Sequence, residues 1–164
     1  MKTLYLIGGT MGVGKTTVCQ QLKKDLTDSV FLDGDWCWDS SPFRVTEETC
    51  AMVMNNICYL LNSFIHCSVY ENVICCWVMH EQSIIDCMIE RLDTETCRVI
   101  RISLIADESS LRERLAADVA VGLRTIDVIE RSVARISMYQ ILDTIKIDTS
   151  NKTVRVIVDE IMQL

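Results

Sequence analysis

Residues 8–17 read GGTMGVGKTT, and within them Gly9, four intervening residues and Gly14-Lys15-Thr16 satisfy the spacing G-x-x-x-x-G-K-[ST]. Such a stretch works only as a turn between a buried strand and a helix. The glycines let backbone N–H groups wrap around an anion where side chains would obstruct it, and the positive helix end adds its attraction. The flanks fit this demand: TLYLIGG (residues 3–9) is apolar enough for a buried strand, and KTTVCQQLKKDL (residues 15–26) puts Val18, Leu22 and Leu26 on one helical face.

The same alternation continues along the chain. Strands are predicted at residues 29–35, 72–79, 97–106 and 144–150, and helices lie between them. Thr46 is placed to cap a long helix whose first turn carries Glu47 and Glu48, and Gly122 is placed to stop the helix begun at ESSLRERL. One further helix is expected through DVIERSVARISMYQIL and another through TVRVIVDEIMQL. Five strands separated by helices predict a doubly wound, three-layer α/β fold with a five-stranded parallel sheet. With 164 residues, one proline and no repeat or linker, the expectation is a single domain spanning residues 1–164.

Composition narrows the partners. A net charge of −7 disfavours a nucleic-acid backbone or an anionic membrane as the main partner. No apolar run reaches the roughly 18 residues of a membrane span. The nine cysteines lie mostly in apolar stretches and form no C-x-x-C pair, so they read as small core residues of a protein kept in a reducing cytoplasm.

The loop assigns Gly9, Thr10, Met11, Gly12, Val13, Gly14, Lys15, Thr16 and Thr17 to nucleotide phosphates, with Lys15 bridging the β- and γ-phosphates and the Thr16 hydroxyl on Mg²⁺. The nucleotide is expected to be ATP. NKTV (residues 151–154) has Val154 where an N-K-x-D guanine reader needs its aspartate, and no D-x-x-G switch signature is present. The segment expected to carry a Walker-B acid, VICCWVMHEQ, offers only Glu81 beyond His80. His80 reads either as a substrate contact or as a capping or surface histidine.

FLDGDWCWD (residues 31–39) supplies two carboxylates at the end of the second strand, beside the phosphate loop. One can accept a proton from an acceptor hydroxyl and the other can hold a metal-bound water. Asp35 is the expected base or acceptor contact and Asp33 the expected metal-side group, with the reverse assignment left open. Trp36 and Trp38 follow at once, with Phe43 and Arg44 beyond. They suit a flat or apolar acceptor, with Arg44 available to clamp an anionic group.

GGTMGVGKTT, LDGD, LRERL and KIDTSNKTVRVIVDEI together give the chain, over nearly its whole length, a resemblance to the P-loop small-molecule and nucleotide kinases. These include adenylate, shikimate and gluconate kinases, chloramphenicol phosphotransferase and small AAA-type kinases of bacteria. The resemblance implies ATP-dependent phosphorylation of a small molecule under a mobile lid around residues 115–130. It also implies that Arg114 lies against adenine or the phosphates, that Arg124 and Arg131 neutralise the transferring group, and that Ser150 and Asn151 border adenine. Many relatives place another arginine four residues after the first, where this chain has Asp118. Two functions follow: transfer from Mg·ATP to a hydroxyl or phosphate acceptor, or a nucleotide-binding regulatory module with little turnover.

Overall fold

The computed structural model describes residues 1–164. Its elements run in the order β1 (Lys2–Gly9), α1 (Lys15–Asp25), β2 (Ser29–Asp33), a 3-10 turn (Gly34–Cys37), α2 (Glu47–His66), β3 (Asn72–Cys76), α3 (Gln82–Glu90), β4 (Cys97–Ile105), α4 (Glu108–Ala120), α5 (Val128–Val133), α6 (Ile136–Gln140), β5 (Ile145–Asp148) and α7 (Val154–Met162). The sheet order is β2-β3-β1-β4-β5 and every pairing is parallel. This is the doubly wound α/β architecture expected from the alternation of elements.

The period-2 geometry of strands divides the core between two faces. Leu4 and Leu6 of β1, Leu32 of β2 and Val73 and Cys75 of β3 point to the side covered by α2, α3 and α6, where they meet Ile57, Leu61, Met88 and Tyr139. Tyr5, Ile7, Phe31, Ile74 and Cys76 point to the other side, against Val18 and Leu22 of α1 and Ile157, Val158 and Ile161 of α7. Both faces of β1 are therefore dry, which is why its sequence reads as a continuous apolar run. Adjacent Cys75 and Cys76 serve opposite cores, and all nine cysteines are free thiols.

Helix starts are fixed by side chains. Thr46 Oγ1 accepts the Thr49 N–H at 3.1 Å while Thr49 Oγ1 accepts the Thr46 N–H at 2.8 Å, a reciprocal cap on α2. Asp107 Oδ1 accepts the Ser110 N–H at 2.7 Å and opens α4. Gly122, at φ +74°, follows the end of α4 and donates its N–H to the Val119 carbonyl at 3.0 Å.

Three boundaries differ from expectation. β2 ends at Asp33, so Asp35 lies on the 3-10 turn instead of on the strand. The cause is local: Asp33 Oδ1 accepts the Asp35 N–H at 3.1 Å, which bends the chain. β3 stops at Cys76, beyond which Trp77 still donates to the Ile7 carbonyl but Met79 N–H folds back to the Trp77 carbonyl. The helix expected through residues 127–142 is two short helices, and at the break Arg135 N–H bonds the Ser132 carbonyl with i−3 spacing.

Candidate active site

β1 lies at the centre of the sheet, where chain connections leave in opposite directions, and the loop following it opens at the carboxyl ends of the strands. Two glycines meet different demands there. Gly14 sits at φ +101° as the residue before α1, where an L side chain would be strained although no atom lies within 4 Å of its would-be Cβ. Gly12, at φ +80°, would additionally drive a Cβ to 2.5 Å from Leu115 Cδ2.

Lys15 folds over the loop. Its Nζ donates to the Gly9 carbonyl at 2.8 Å and the Thr10 carbonyl at 3.1 Å. Burial lowers its pKa, against the opposing influence of Cys76, Asp35 and Asp33. Thr16 Oγ1 donates to Asp33 Oδ2 at 2.7 Å. Asp33 is buried, and its two oxygens join the phosphate-loop helix to the 3-10 turn that carries Asp35. No cluster of three or more His, Cys, Asp and Glu side chains stands ready to chelate a metal. A divalent cation here would rely on the Thr16 hydroxyl, the Asp33 carboxylate and the oxygens of a bound phosphate, a hard oxygen set that fits Mg²⁺.

Asp35 has its pKa raised, first by desolvation and then by Asp33, while Lys15, Arg124 and a hydrogen bond from Trp38 pull it down. Aromatic rings adjoin it. Trp77 packs so closely on Gly34 that a Cβ there would come within 2.6 Å of the indole Cδ1 and Cγ. Trp38 meets Trp77 edge to face at 6.4 Å and Phe43 at 4.7 Å. Trp36 meets Phe31 at 5.3 Å. Trp36 and Cys37 also wall an apolar cleft of about 400 Å³ against Tyr59 and Leu60 of α2.

The arginines have separate surroundings. Arg114 donates to the Thr149 carbonyl at 2.7 Å, to Thr149 Oγ1 at 3.0 Å and to the Val13 carbonyl at 3.4 Å, tying α4 to both the phosphate loop and the β5–α7 turn. That turn holds Ser150, whose Oγ accepts the Asp107 N–H at 2.8 Å, and Asn151, at φ +55°. Arg124 is exposed and its Nε lies 3.1 Å from Asp118 Oδ2, yet its charge reaches both Lys15 and Asp35. Arg131 holds Asp127 at 3.0 Å on the exposed side of α5. Arg44 is exposed.

His80 is mostly buried; its Nδ1 has no hydrogen-bond partner and its Nε2 lies 3.6 Å from Glu81 Oε1. The other buried polar atom without a partner is the hydroxyl of Tyr139, a residue the sequence reading passed over. Tyr139 packs beside Gly8, and burial raises its pKa. Ser132 and Thr149 were also unmarked. Thr10 Oγ1 donates to the Ser132 carbonyl at 2.9 Å and pairs with Ser132 Oγ at 2.8 Å, while Ser132 Oγ donates to the Met11 carbonyl at 2.6 Å. Ser132 is fully buried on the same helical face as Val128, four residues earlier. A serine on an inward helix face was the available signal.

Comparison with known proteins agrees with this geometry. The sequence matches the family described as an AAA domain over residues 6–123. The fold is similar to a gluconokinase from Sinorhizobium meliloti at 18% identity and TM-score 0.71, covering 96% of this chain and 88% of that one. A tunicamycin resistance protein of Deinococcus radiodurans matches at 17% identity and TM-score 0.69, covering 99% and 95%. Shikimate kinase from Acinetobacter baumannii, solved with shikimate, matches at 19% identity and TM-score 0.63, covering 99% and 92%. No curated protein matches the sequence significantly. No helix is long and apolar enough to cross a membrane. The family match spans well over half of the chain, which therefore belongs to this AAA domain family and carries the fold of the P-loop kinases.

Proposed function

We propose that the protein is a phosphotransferase that moves the γ-phosphate of Mg·ATP to the hydroxyl or phosphate of a small molecule. The observation that carries this reading is the hydrogen-bonded connection from Thr16 through Asp33 to Asp35, with the charge of Lys15 acting on Asp35. It joins a phosphate cradle to a second carboxylate whose pKa is raised toward the range useful for accepting a proton. The likeness in fold to a gluconokinase and a shikimate kinase supports it.

In this reading one domain, residues 1–164, carries the whole reaction. The loop N–H groups and Lys15 hold the donor phosphates, and Arg114, Ser150 and Asn151 border the base. Thr16 and Asp33 would hold Mg²⁺, which when bound neutralises charge on the donor phosphates. Asp35 orients the acceptor hydroxyl and takes its proton. Residues around 115–130 close as a lid, bringing Arg124 to the phosphates and excluding water, which would otherwise compete as acceptor. Arg131 joins Arg124 only if that closure breaks its pair with Asp127.

One observation favours the second reading, a nucleotide-binding module with little turnover: Arg124 is already paired with Asp118. Incubation with γ-labelled ATP and a library of nucleosides, nucleotides, sugars and aminoglycosides separates the two. Label on an acceptor that disappears with Asp35→Asn supports the phosphotransferase. Tight ATP binding with no acceptor ever labelled supports the module.

A further inference from the structure

All three tryptophans of the chain belong to the surroundings of Asp35: Trp36 and Trp38 follow it in the same turn, and Trp77 packs on Gly34 before it. Trp36, Phe43 and Val45 are each more than half exposed. So are Val121, Leu123 and Ile126 in the connection between α4 and α5. Arg124 lies between the last two, and its charge acts on Asp35 and Lys15. Exposed apolar side chains thus accompany both the turn that carries this carboxylate and the arginine whose charge acts on it.

The charges point the same way. Residues 33–48 contain five acids and one arginine, and residues 115–130 contain three acids and one arginine. Lys15 and Arg124 are the cations that act most on Asp35, and both are committed to donor phosphates in the function proposed above. An acceptor bearing its own phosphate or carboxylate would face this acidic border with only the exposed Arg44 of these segments left to meet it. A neutral or positively charged ring system meets aromatic faces and carboxylates, a favourable combination.

We infer that the acceptor is a non-anionic alcohol with an aromatic or polycyclic body. This inference rests on the phosphotransferase reading. The ring system lies between the Trp38 and Phe43 wall and the Leu123 and Ile126 tip, with its hydroxyl at Asp35. The hydroxyl proton passes to the Asp35 carboxylate as the alcohol oxygen bonds to the γ-phosphorus. The bond from that phosphorus to the β–γ bridging oxygen breaks, and ADP leaves with its electron pair.

The test compares 2-(2-naphthyl)ethanol and 3-phenyl-1,2-propanediol with gluconate, shikimate, AMP and dTMP, each with γ-labelled ATP and Mg²⁺. Binding of the same compounds is read separately by tryptophan fluorescence with a non-hydrolysable ATP analogue present. The aryl alcohols are expected to lead in kcat/KM by about tenfold or more, and Trp38→Ala to raise their KM about tenfold without moving the KM for ATP. Phe43→Ala, an exposed position, provides the same readout if Trp38→Ala fails to fold. Preferential labelling or binding of the anionic compounds overturns the acceptor class and leaves phosphotransfer standing. Aryl alcohols that bind beside the tryptophans but never accept label leave the binding class standing and overturn phosphotransfer.

Discussion

Ser132→Ala tests whether the phosphate loop is held in shape by a helix remote in sequence. The substitution removes one hydroxyl that pairs with Thr10 Oγ1 at 2.8 Å and donates to the Met11 carbonyl at 2.6 Å. Thr10 keeps its bond to the Ser132 carbonyl at 2.9 Å, so the principal loss is the Met11 carbonyl left without a partner. An acceptor stranded in this way costs about 1–3 kcal/mol. For a chain of this length that corresponds to a fall in Tm of about 2–12 °C, read by calorimetry. Because the stranded group is part of the loop, affinity for Mg·ATP should fall about fivefold, close to 1 kcal/mol. Thr10→Val, measured alone and together with Ser132→Ala, gives the coupling, expected to exceed about 0.5 kcal/mol. Unchanged Tm, unchanged ATP affinity and additive effects in the cycle would refute the reasoning.

Other perturbations reach the same site from different directions. Lys15→Ala should abolish tight Mg·ATP binding, and an unchanged calorimetric affinity would remove the loop assignment. Asp35 has a raised folded-state pKa, so its favourable contribution is present below the unfolded value of about 3.9 and lost as pH rises through the folded value. Asp35→Asn should therefore raise Tm at pH 7, with the gain shrinking as the pH falls through the raised folded value and gone below about 4, where the Asp35 carboxyl is neutral in both states. Asp33→Asn removes a charge that raises the Asp35 pKa, so the Asp35 carboxyl should titrate at lower pH by NMR; an upward shift contradicts the assignment. Gly14→Ala places a Cβ at φ +101° and should destabilise the fold by about 1–2 kcal/mol in urea unfolding.

How legible each element was depended on whether its cause was local. One spacing specified the strand, turn and helix from β1 to α1, because glycine conformation, strand burial and helix polarity all serve the same anion site. Caps at Thr46 and the stop near Gly122 were readable for the same reason. The ends of β2 and β3 were not, because hydropathy does not register a bend made by a side chain. Asp33 turns the chain at residue 35, and Trp77 and Met79 remain packed after their strand has ended. The split between α5 and α6 carries no glycine or proline to announce it. Lys15, Thr16, Asp33 and Asp35, marked by the motif and its neighbouring strand, lie together in the structure. Ser132 and Thr149 act through loop carbonyls and Arg114, partners that lie 121 and 35 residues away along the chain.

Four side chains expected to meet the donor already have internal partners. Lys15 bonds two loop carbonyls, Thr16 bonds Asp33, Arg114 bonds Thr149 and Arg124 bonds Asp118. The loop is therefore formed before a phosphate arrives, and binding exchanges hydrogen bonds instead of creating order, which limits both the entropy cost and the net gain per contact. Asp118 takes on a definite meaning in this light. Its exposed pair with Arg124 contributes no more than about 1 kcal/mol. Contact between an arginine and a phosphate in a water-excluded site is stronger, because both partners are charged and poorly screened. In the proposed function, the exposed pair would hold the lid arginine while the site is empty and yield it once phosphate charge is present. Under the proposed function, the acid that makes the lid poor in free arginine would delay closure until the donor is in place, and so restrain the transfer of phosphate to water.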